Sequence, residues 1–419
     1  MQLSNSIRII SILLFLLFYG AKGDCYAKEK YLEIKKEKDL HGGVWKLPKG
    51  ITLLFNGGII KNGTIVGSHT KIKASGVAFE NVKIRGIWDV KKISSSLFRN
   101  LDYENSLRDV FSLANAEVKN EIVIESGDYV VSANKEGDFC IPVVSNTDVI
   151  INGIIRLKPN SYRKYDILKL KGENINISGR GTIIGDRHSH IGTGGEWGMG
   201  VRFHEVTNGS INGLTIKDCW GDCVYVGGNS KKVTIDHCVL DHGRRQGISI
   251  TKADGVIIKK CVITNISGTN PQYAIDIEPN RGDTVTNVLI DNVIVKDCEG
   301  GFSATRSSKI EDGRPISWIG NIVIQNCTVS TKSKYPIYMR KSRMVNIEKC
   351  VLSTKNKEIA IFVDNVSHVK ILNNALKTRS NYTTSVENII RKSIGKVEKK
   401  PITVVKALTS EVRDNRINE

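Results

Sequence analysis

One short template recurs six times in this chain and leaves few folds open to it. The segments Leu214–Cys219, Val233–Cys238, Val256–Cys261, Val293–Cys298, Ile322–Cys327 and Val345–Cys350 each read aliphatic, any, Ile or Val, any, any, Cys. Their cysteines fall at 219, 238, 261, 298, 327 and 350, and self-similarity at roughly 20–50 residues is the mark of a stacked-repeat architecture. Within each segment the two aliphatics stand two places apart, the period of a strand. Gly, Asn and Asp between the segments supply turns. Short, β-branched apolar runs exclude helical repeats. What remains is an all-β solenoid, a parallel β-helix whose coils bury their inward residues on one another.

The six cysteines are expected to form one internal column, buried, stacked and unbridged, acting as small soft apolar groups. A zinc site needs ligand pairs at short spacing, and only Cys219 and Cys223 come close to that. A disulfide framework belongs to short secreted domains. Val369, Ile371 and Asn374 carry the template on with Asn at its last place, and Ile175/Ile177 and Val82/Ile84 are weaker copies.

Four regions follow. Residues 1–27 read as a signal peptide: Arg8 precedes the apolar run Ile9–Leu17, and small residues follow at Ala21, Gly23 and Ala27. The residues before Cys25 do not form a lipidation box. Residues 28–105 combine a charged, loosely ordered lead with a β-rich N-terminal module whose turns are Gly57–Gly58, Asn62–Gly63 and Gly67. The β-helix is expected over 106–380, opened by a capping helix over Ser106–Val118, where Leu107, Val110, Phe111, Leu113 and Ala114 have helical spacing. Residues 381–419 are a basic tail with a late strand at Ile402–Val405.

A second strand follows in each coil, marked by inward pairs such as Val224/Val226, Ile248/Ile250 and Ile275/Ile277. The residues between and beside these pairs point outward and form a ladder. It contains Arg202, His204, Tyr225, Arg245, Ser249, Asp276, Glu278, Thr305, Arg306, Tyr338, Arg340 and Phe362. Aromatics to stack on sugar rings, arginines for carboxylates and a few acids suit a groove for an acidic glycan. Asp276 and Glu278 alternate with inward Ile275 and Ile277, so both face the same side. Paired acids can act as acid and base or hold Ca²⁺. Asp222 and Arg245 join them as candidate catalytic groups, with His242 beside the arginines. Arg202, His204, Tyr225, Arg244, Arg306, Tyr338 and Arg340 are the candidate substrate ligands. His237 reads as a structural turn residue. The loop Gly192–Gly200 is no phosphate loop, because it lacks the Lys-Ser/Thr end, but its Glu196 and Trp197 suit a groove wall.

From Gly221 to Asn280 the chain resembles the pectin-lyase-like right-handed parallel β-helix superfamily, and within it the polygalacturonase-type hydrolases. Gly221-Asp-Cys-Val-Tyr-Val226 is similar to their Asp-Asp-Cys-Ile-Ala-Ile, and Gln246-Gly-Ile-Ser-Ile250 to their His-Gly-Ile-Ser-Ile. The resemblance implies a right-handed coil and a carbohydrate substrate. The catalytic pattern departs from the family: the first Asp is Gly221, the His is Gln246, and an Arg and a Lys are replaced by Asp276 and Glu278. Asp222 is the matched catalytic-type residue.

The formal charge is +18 with a pI near 9.4, which suits a polyanionic partner. No nucleic-acid motif is visible, and no membrane association is expected once the signal is removed. Oligomeric state leaves no mark on the sequence. The expected function is cleavage of a uronate-containing polysaccharide, first by β-elimination. The alternatives are a hydrolase using Asp222, Asp276 and Glu278, a non-catalytic glycan binder, and a C5 epimerase. The protein is expected in the periplasm or outside the cell. N-terminal sequencing of the exported protein should begin just after Gly23 or Ala27; a chain still starting at Met1 would exclude the leader.

Overall fold

The computed structural model describes residues 30–99, 106–306, 309–311, 314–355, 359–377, 402–405 and 407–417. The expected signal peptide and Cys25 lie outside them. The chain winds as a parallel β-helix of three faces. The first face carries Val224–Gly227, Ile248–Ile250, Tyr273–Ile277, Gly300–Thr305, Ile337–Arg340 and Ile361–Asp364. The second carries Ser230–Asp236, Ala253–Lys259, Thr284–Asp291, Asn321–Gln325, Met344–Glu348 and His368–Leu372. The third carries Thr215–Lys217, Val239–Asp241, Val262–Thr264, Ile294–Cys298 and Thr328–Thr331. Successive strands on each face pair in parallel, and their inward aliphatics are almost fully buried. Stacking like on like in this way removes continuous apolar area from water, the main favourable term in such a fold.

The register corrects the single cysteine column. On the second face Gly209, Val233, Val256, Val288, Ile322, Val345 and Val369 stand over one another. Five residues on, the corner column is therefore Leu214, Cys238, Cys261, Val293, Cys327, Cys350 and Asn374. Each carbonyl of that column accepts from the next coil, as in Val262 N–H to Cys238 and Ile294 N–H to Cys261. Cys219 and Cys298 belong to a different corner, after the third face, together with Gly243 and Ile266. The two corners share a template because they pose the same problem: a strand must end, turn through a left-handed residue and bury a small group. The left-handed residues are His237, Lys260, Asn292, Asn326, Lys349 and Asn373 at the first corner, and Asp218, His242, Asn265 and Asp297 at the second. Asn and Asp tolerate that conformation better than most residues.

All eight cysteines of the described residues are buried and unpaired. Each thiol of the first corner donates to the carbonyl two residues before it: Cys238 to Asp236 at 3.3 Å, Cys261 to Lys259 at 3.3 Å and Cys327 to Gln325 at 3.1 Å. Asn374 takes over this place with a stronger set. Its Oδ1 accepts from the Cys350 N–H at 2.9 Å, and its Nδ2 donates to Ile347 O at 3.1 Å and to Asn415 Oδ1 at 2.9 Å.

Three boundaries differ from expectation. The charged lead is ordered from residue 30, because Tyr31–Ile34 and Val44–Lys46 pair with the N-terminal module. The capping helix is one short turn-and-a-half, Ser106–Phe111. Past Phe111 the chain keeps only tighter turns, Leu113 N–H to Val110 O and Ala114 N–H to Phe111 O, before Asn115 Oδ1 captures the Glu117 N–H at 3.0 Å, a local bond that competes with helix continuation. It lies between modules: Asp109 Oδ1 accepts from Ile84 N–H at 2.9 Å while Arg108 Nε donates to Cys140 O at 2.7 Å. Regular coils also run past residue 380: Ile402–Val405, Thr409–Arg413 and Arg416–Ile417 each pair with the coil before.

Two measurements check this corner chemistry. Thiol titration of the native protein should leave these eight cysteines unlabelled until denaturant is added, and a disulfide among them would contradict the register. Asn374→Ala strands a buried N–H and a buried carbonyl, so it should cost about 2–3 kcal/mol in denaturant titration, whereas Cys327→Ala should cost about 1 kcal/mol.

Candidate active site

The first face places its outward residues in one row: Arg202, Tyr225, Ser249, Asp276, Ser303, Tyr338 and Phe362. The alternation that buries Ile275 and Ile277 turns Asp276 and Glu278 outward. Asp276 is nevertheless 3% exposed, because its neighbours close over it.

At the centre lies an arginine with three acids. Arg245 donates from one terminal nitrogen to Glu278 Oε1 at 2.6 Å and from the other to Asp222 Oδ2 at 3.3 Å. Ser249 joins the two sides, donating to Asp222 Oδ2 at 2.7 Å and standing 3.4 Å from Arg245. Glu196, carried by the Gly-rich loop, reaches to 3.6 Å from Arg245 Nε. That Nε is buried and has no hydrogen-bond partner among the described residues. Beside this group Gln246 bridges two strands: its Nε2 donates to Asp276 Oδ2 at 2.7 Å and its Oε1 accepts from the Tyr273 N–H at 2.9 Å.

Desolvation sets the proton affinities. Burial raises Asp222 to about 6, against the pull of Arg245 and Ser249. Burial raises Asp276 further, to about 8, helped by the charge of Glu278 and opposed by the Ser303 hydroxyl and Arg245. Arg245 is held above the ordinary arginine range: burial opposes its charge, but Asp222 and Glu278 more than compensate. At neutral pH Asp276 is thus a carboxylic acid and Arg245 a firmly held cation.

The residues singled out in the sequence fall into two sets. Arg245, Asp222, Asp276 and Glu278 come together. His242 does not join them: it occupies a left-handed corner, bonds Asp241 through Nδ1 at 2.7 Å and packs edge-on to His188. Arg244 is turned from the groove to the loop that walls it. Its guanidinium lies 3.7 Å over Trp220 and donates to Gly195 O at 2.9 Å. Arg202 pairs with Asp166 at 2.6 Å and stacks on Tyr225 at 4.2 Å, while Tyr225 bonds Thr251 at 2.8 Å. His204 is partly buried, and burial lowers its proton affinity. Arg306 donates to Lys341 O at 2.7 Å, and Arg340 pairs with Asp364 at 3.0 Å and donates to the Tyr338 hydroxyl at 3.3 Å. Trp197 stands 46% exposed on the wall.

Sequence reading missed Gln246, Tyr273, Lys334 and Tyr335 as parts of the site. Tyr335 stacks with Tyr338 at 5.2 Å, and Lys334 Nζ lies 5.5 Å over Tyr273. The usable signal was Lys334-Tyr-Pro336 immediately before the strand Ile337–Arg340. Asp276 and Glu278 do not fit a hard cation. Arg245 occupies the Glu278 carboxylate, an amide donor occupies Asp276, and no group of three metal-ligating side chains occurs among the described residues.

Residues 152–312 match the family described as right handed beta helix region. The SPbeta prophage-derived uncharacterized protein YorA of Bacillus subtilis is 30% identical over 184 residues, 38% of this chain and 31% of that protein. The uncharacterized protein YclG of the same organism is 30% identical over 206 residues, 42% of this chain and 35% of that one. The chain thus spans about a third of the length of these curated relatives. Among solved structures, the A-module of the Azotobacter vinelandii mannuronan C-5 epimerase AlgE6 superposes with a TM-score of 0.50 at 12% identity, over 75% of this chain and 94% of that one. Three-faced winding and parallel register make this chain a parallel β-helix, and over residues 152–312 it matches the right-handed β-helix family.

Proposed function

We propose that the chain is an exported enzyme that cleaves an acidic polysaccharide in the first-face groove, by hydrolysis with Asp276 as the proton donor. One observation carries this reading: two carboxyl groups, on the strand Tyr273–Ile277 and just past its end, stand two residues apart in different environments. Asp276 is buried, bonded by an amide and protonated at neutral pH. Glu278 is half-open to the groove and clamped by Arg245. Environments that push two acids apart are how an acid and its partner are assigned in glycoside cleavage. Arg245 supplies fixed positive charge next to the reacting carboxyls. The firm hold on its proton argues against Arg245 as the base of an elimination. The basic charge of the chain and the aromatic run Tyr273, Tyr335, Tyr338 and Phe362 suit an anionic sugar polymer.

Elimination is the second reading, favoured by Lys334. Burial lowers its proton affinity, and it sits over Tyr273, within the field of Asp276, with its ammonium donating to Asn270 Oδ1 at 2.8 Å and to Pro271 O. A panel of polyuronates including mannuronan separates the two. New reducing ends without an unsaturated product mean hydrolysis. An unsaturated product abolished by Lys334→Gln means elimination and overturns the first reading. Binding without turnover leaves a glycan-binding module.

On a cleaved substrate, Asp276→Asn should lower kcat by about 100-fold or more, the scale of a lost general acid. Glu278→Gln should cost about tenfold or more. The rate should fall as pH rises through about 8, where Asp276 loses its proton; a flat alkaline limb would remove Asp276 from the role.

Stability carries the same sign. Asp276 has a folded value of about 8 against an ordinary 3.8, so the native state binds the extra proton between those limits. Stability should therefore decline as pH rises across that window, and Asp276→Asn should flatten the decline in thermal melts taken at several pH values.

A further inference from the structure

Gln246 is held so that its amide has one possible orientation. The side chain is fully buried, and its Oε1 accepts from the Tyr273 N–H at 2.9 Å. A backbone N–H only donates, so the amide oxygen must face it. The amide nitrogen therefore faces Asp276, where Nε2 donates to Oδ2 at 2.7 Å. Turning the amide over would set two N–H groups against each other at Tyr273 and lose two buried hydrogen bonds. The ladder fixes both partners: Tyr273 and Asp276 lie on the strand Tyr273–Ile277, and the Gly247 N–H, next after Gln246, bonds Tyr273 O at 3.2 Å.

The fixed amide decides where a proton on Asp276 can sit. A carboxylic acid has one O–H and one C=O, and the carbonyl oxygen is by far the better acceptor. Oδ2 takes the amide N–H, so Oδ2 is the carbonyl and Oδ1 carries the hydrogen. The hydroxyls nearest in register are compatible with this. Ser249, one coil below, gives its hydrogen to Asp222 at 2.7 Å. Ser303, one coil above, has a hydroxyl that rotates between donating to a carboxylate and accepting from an acid.

We propose that Gln246 is a positioning residue, which puts the acid proton of Asp276 on Oδ1 and stabilises the carboxylate left when that proton departs. Its use in catalysis rests on the hydrolytic reading above. In that reaction the Oδ1–H bond breaks as the proton bonds to the glycosidic oxygen, and the electron pair stays on the carboxyl, spread over both oxygens. The amide N–H is already in place on Oδ2, and its bond strengthens as charge arrives. Gln246 thus works against the burial and the Glu278 charge that hold the proton on, while Arg245, Lys334 and Tyr273 also act on Asp276 through space.

Infrared difference spectroscopy of the full chain, labelled at its aspartate carboxyl carbons, reads this without substrate. The acid carbonyl band that Asp276→Asn removes at neutral pH belongs to Asp276, and it should disappear as pH rises through about 8. Gln246→Met takes the hydrogen bond from the Oδ2 carbonyl. The band should move to higher frequency, and its titration midpoint should rise by about one pH unit or more, the scale of a lost bond to a charged group. Gln246→Glu keeps an acceptor for the Tyr273 N–H and so guards against misfolding of the first variant. It sets an oxygen against Oδ2 and draws the proton to that side, which should move the band, raise the midpoint and lower kcat on a cleaved polyuronate by about tenfold or more. A band and midpoint unmoved in the variants that fold overturn the proposal and leave the hydrolytic reading standing. The expected shifts together with wild-type cleavage by Asp276→Asn overturn that reading and leave the proton placement standing. If Asp276→Asn removes no acid band at neutral pH, both fall.

Discussion

The backbone ladder between coils is the constraint on which everything else rests. Each residue of one coil bonds to its counterpart in the next, so a side chain's neighbours above and below are decided by register. Asp276 stands between Ser249 and Ser303 for that reason alone. A slip of one residue would exchange inside for outside along a whole strand, sending Ile275 and Ile277 into water and the acids into the core. The apolar core and the acid site are therefore held by the same bonds.

The site has a further cost, because it places carboxyl groups where water is scarce. Asp222 is fully buried and Asp276 nearly so. Three groups make this tolerable: a guanidinium shared by Asp222 and Glu278, a serine hydroxyl that donates to Asp222, and a glutamine whose two ends satisfy Asp276 and a backbone N–H. Each buried polar atom in such a cluster is expensive if left unpaired. The arginine next in sequence, Arg244, serves a different structure. It fixes the loop bearing Glu196 by stacking on Trp220, which itself lies 3.9 Å from the His190 ring. Adjacent arginines thus hold the floor and the wall of one groove.

Much of the fold could be read from periodicity alone, and the inward pairs of the first face stand where alternation puts them. The single cysteine column could not be read correctly. Leu214–Cys219 and Val293–Cys298 satisfy the template, yet they start at the first corner and their cysteines lie at the corner after the third face, and only register distinguishes one corner from the other. The acid pair was legible because two-residue spacing is a rule of strands. The place of His242 was not: nearness in sequence to Arg245 said nothing of the left-handed turn that points it to His188. Gln246 was noticed as a departure from a family pattern, but its bridging role needs the distance to Asp276.

The coil steps are unequal, and the inequality has a direction. From Gly209 to Val256 the register advances by about two dozen residues a turn, whereas from Val256 to Ile322 the turns are about ten residues longer. Part of the surplus sits at a corner flanking the first face, around residues 265–272, while the first- and second-face strands on either side keep their parallel pairing. Closing a longer loop costs little more than closing a short one. The rim of the groove is thus the part of this molecule that inheritance can rewrite most freely: a lineage can lengthen or replace a corner and alter what the groove admits, while the strands that carry the acids go on folding as before.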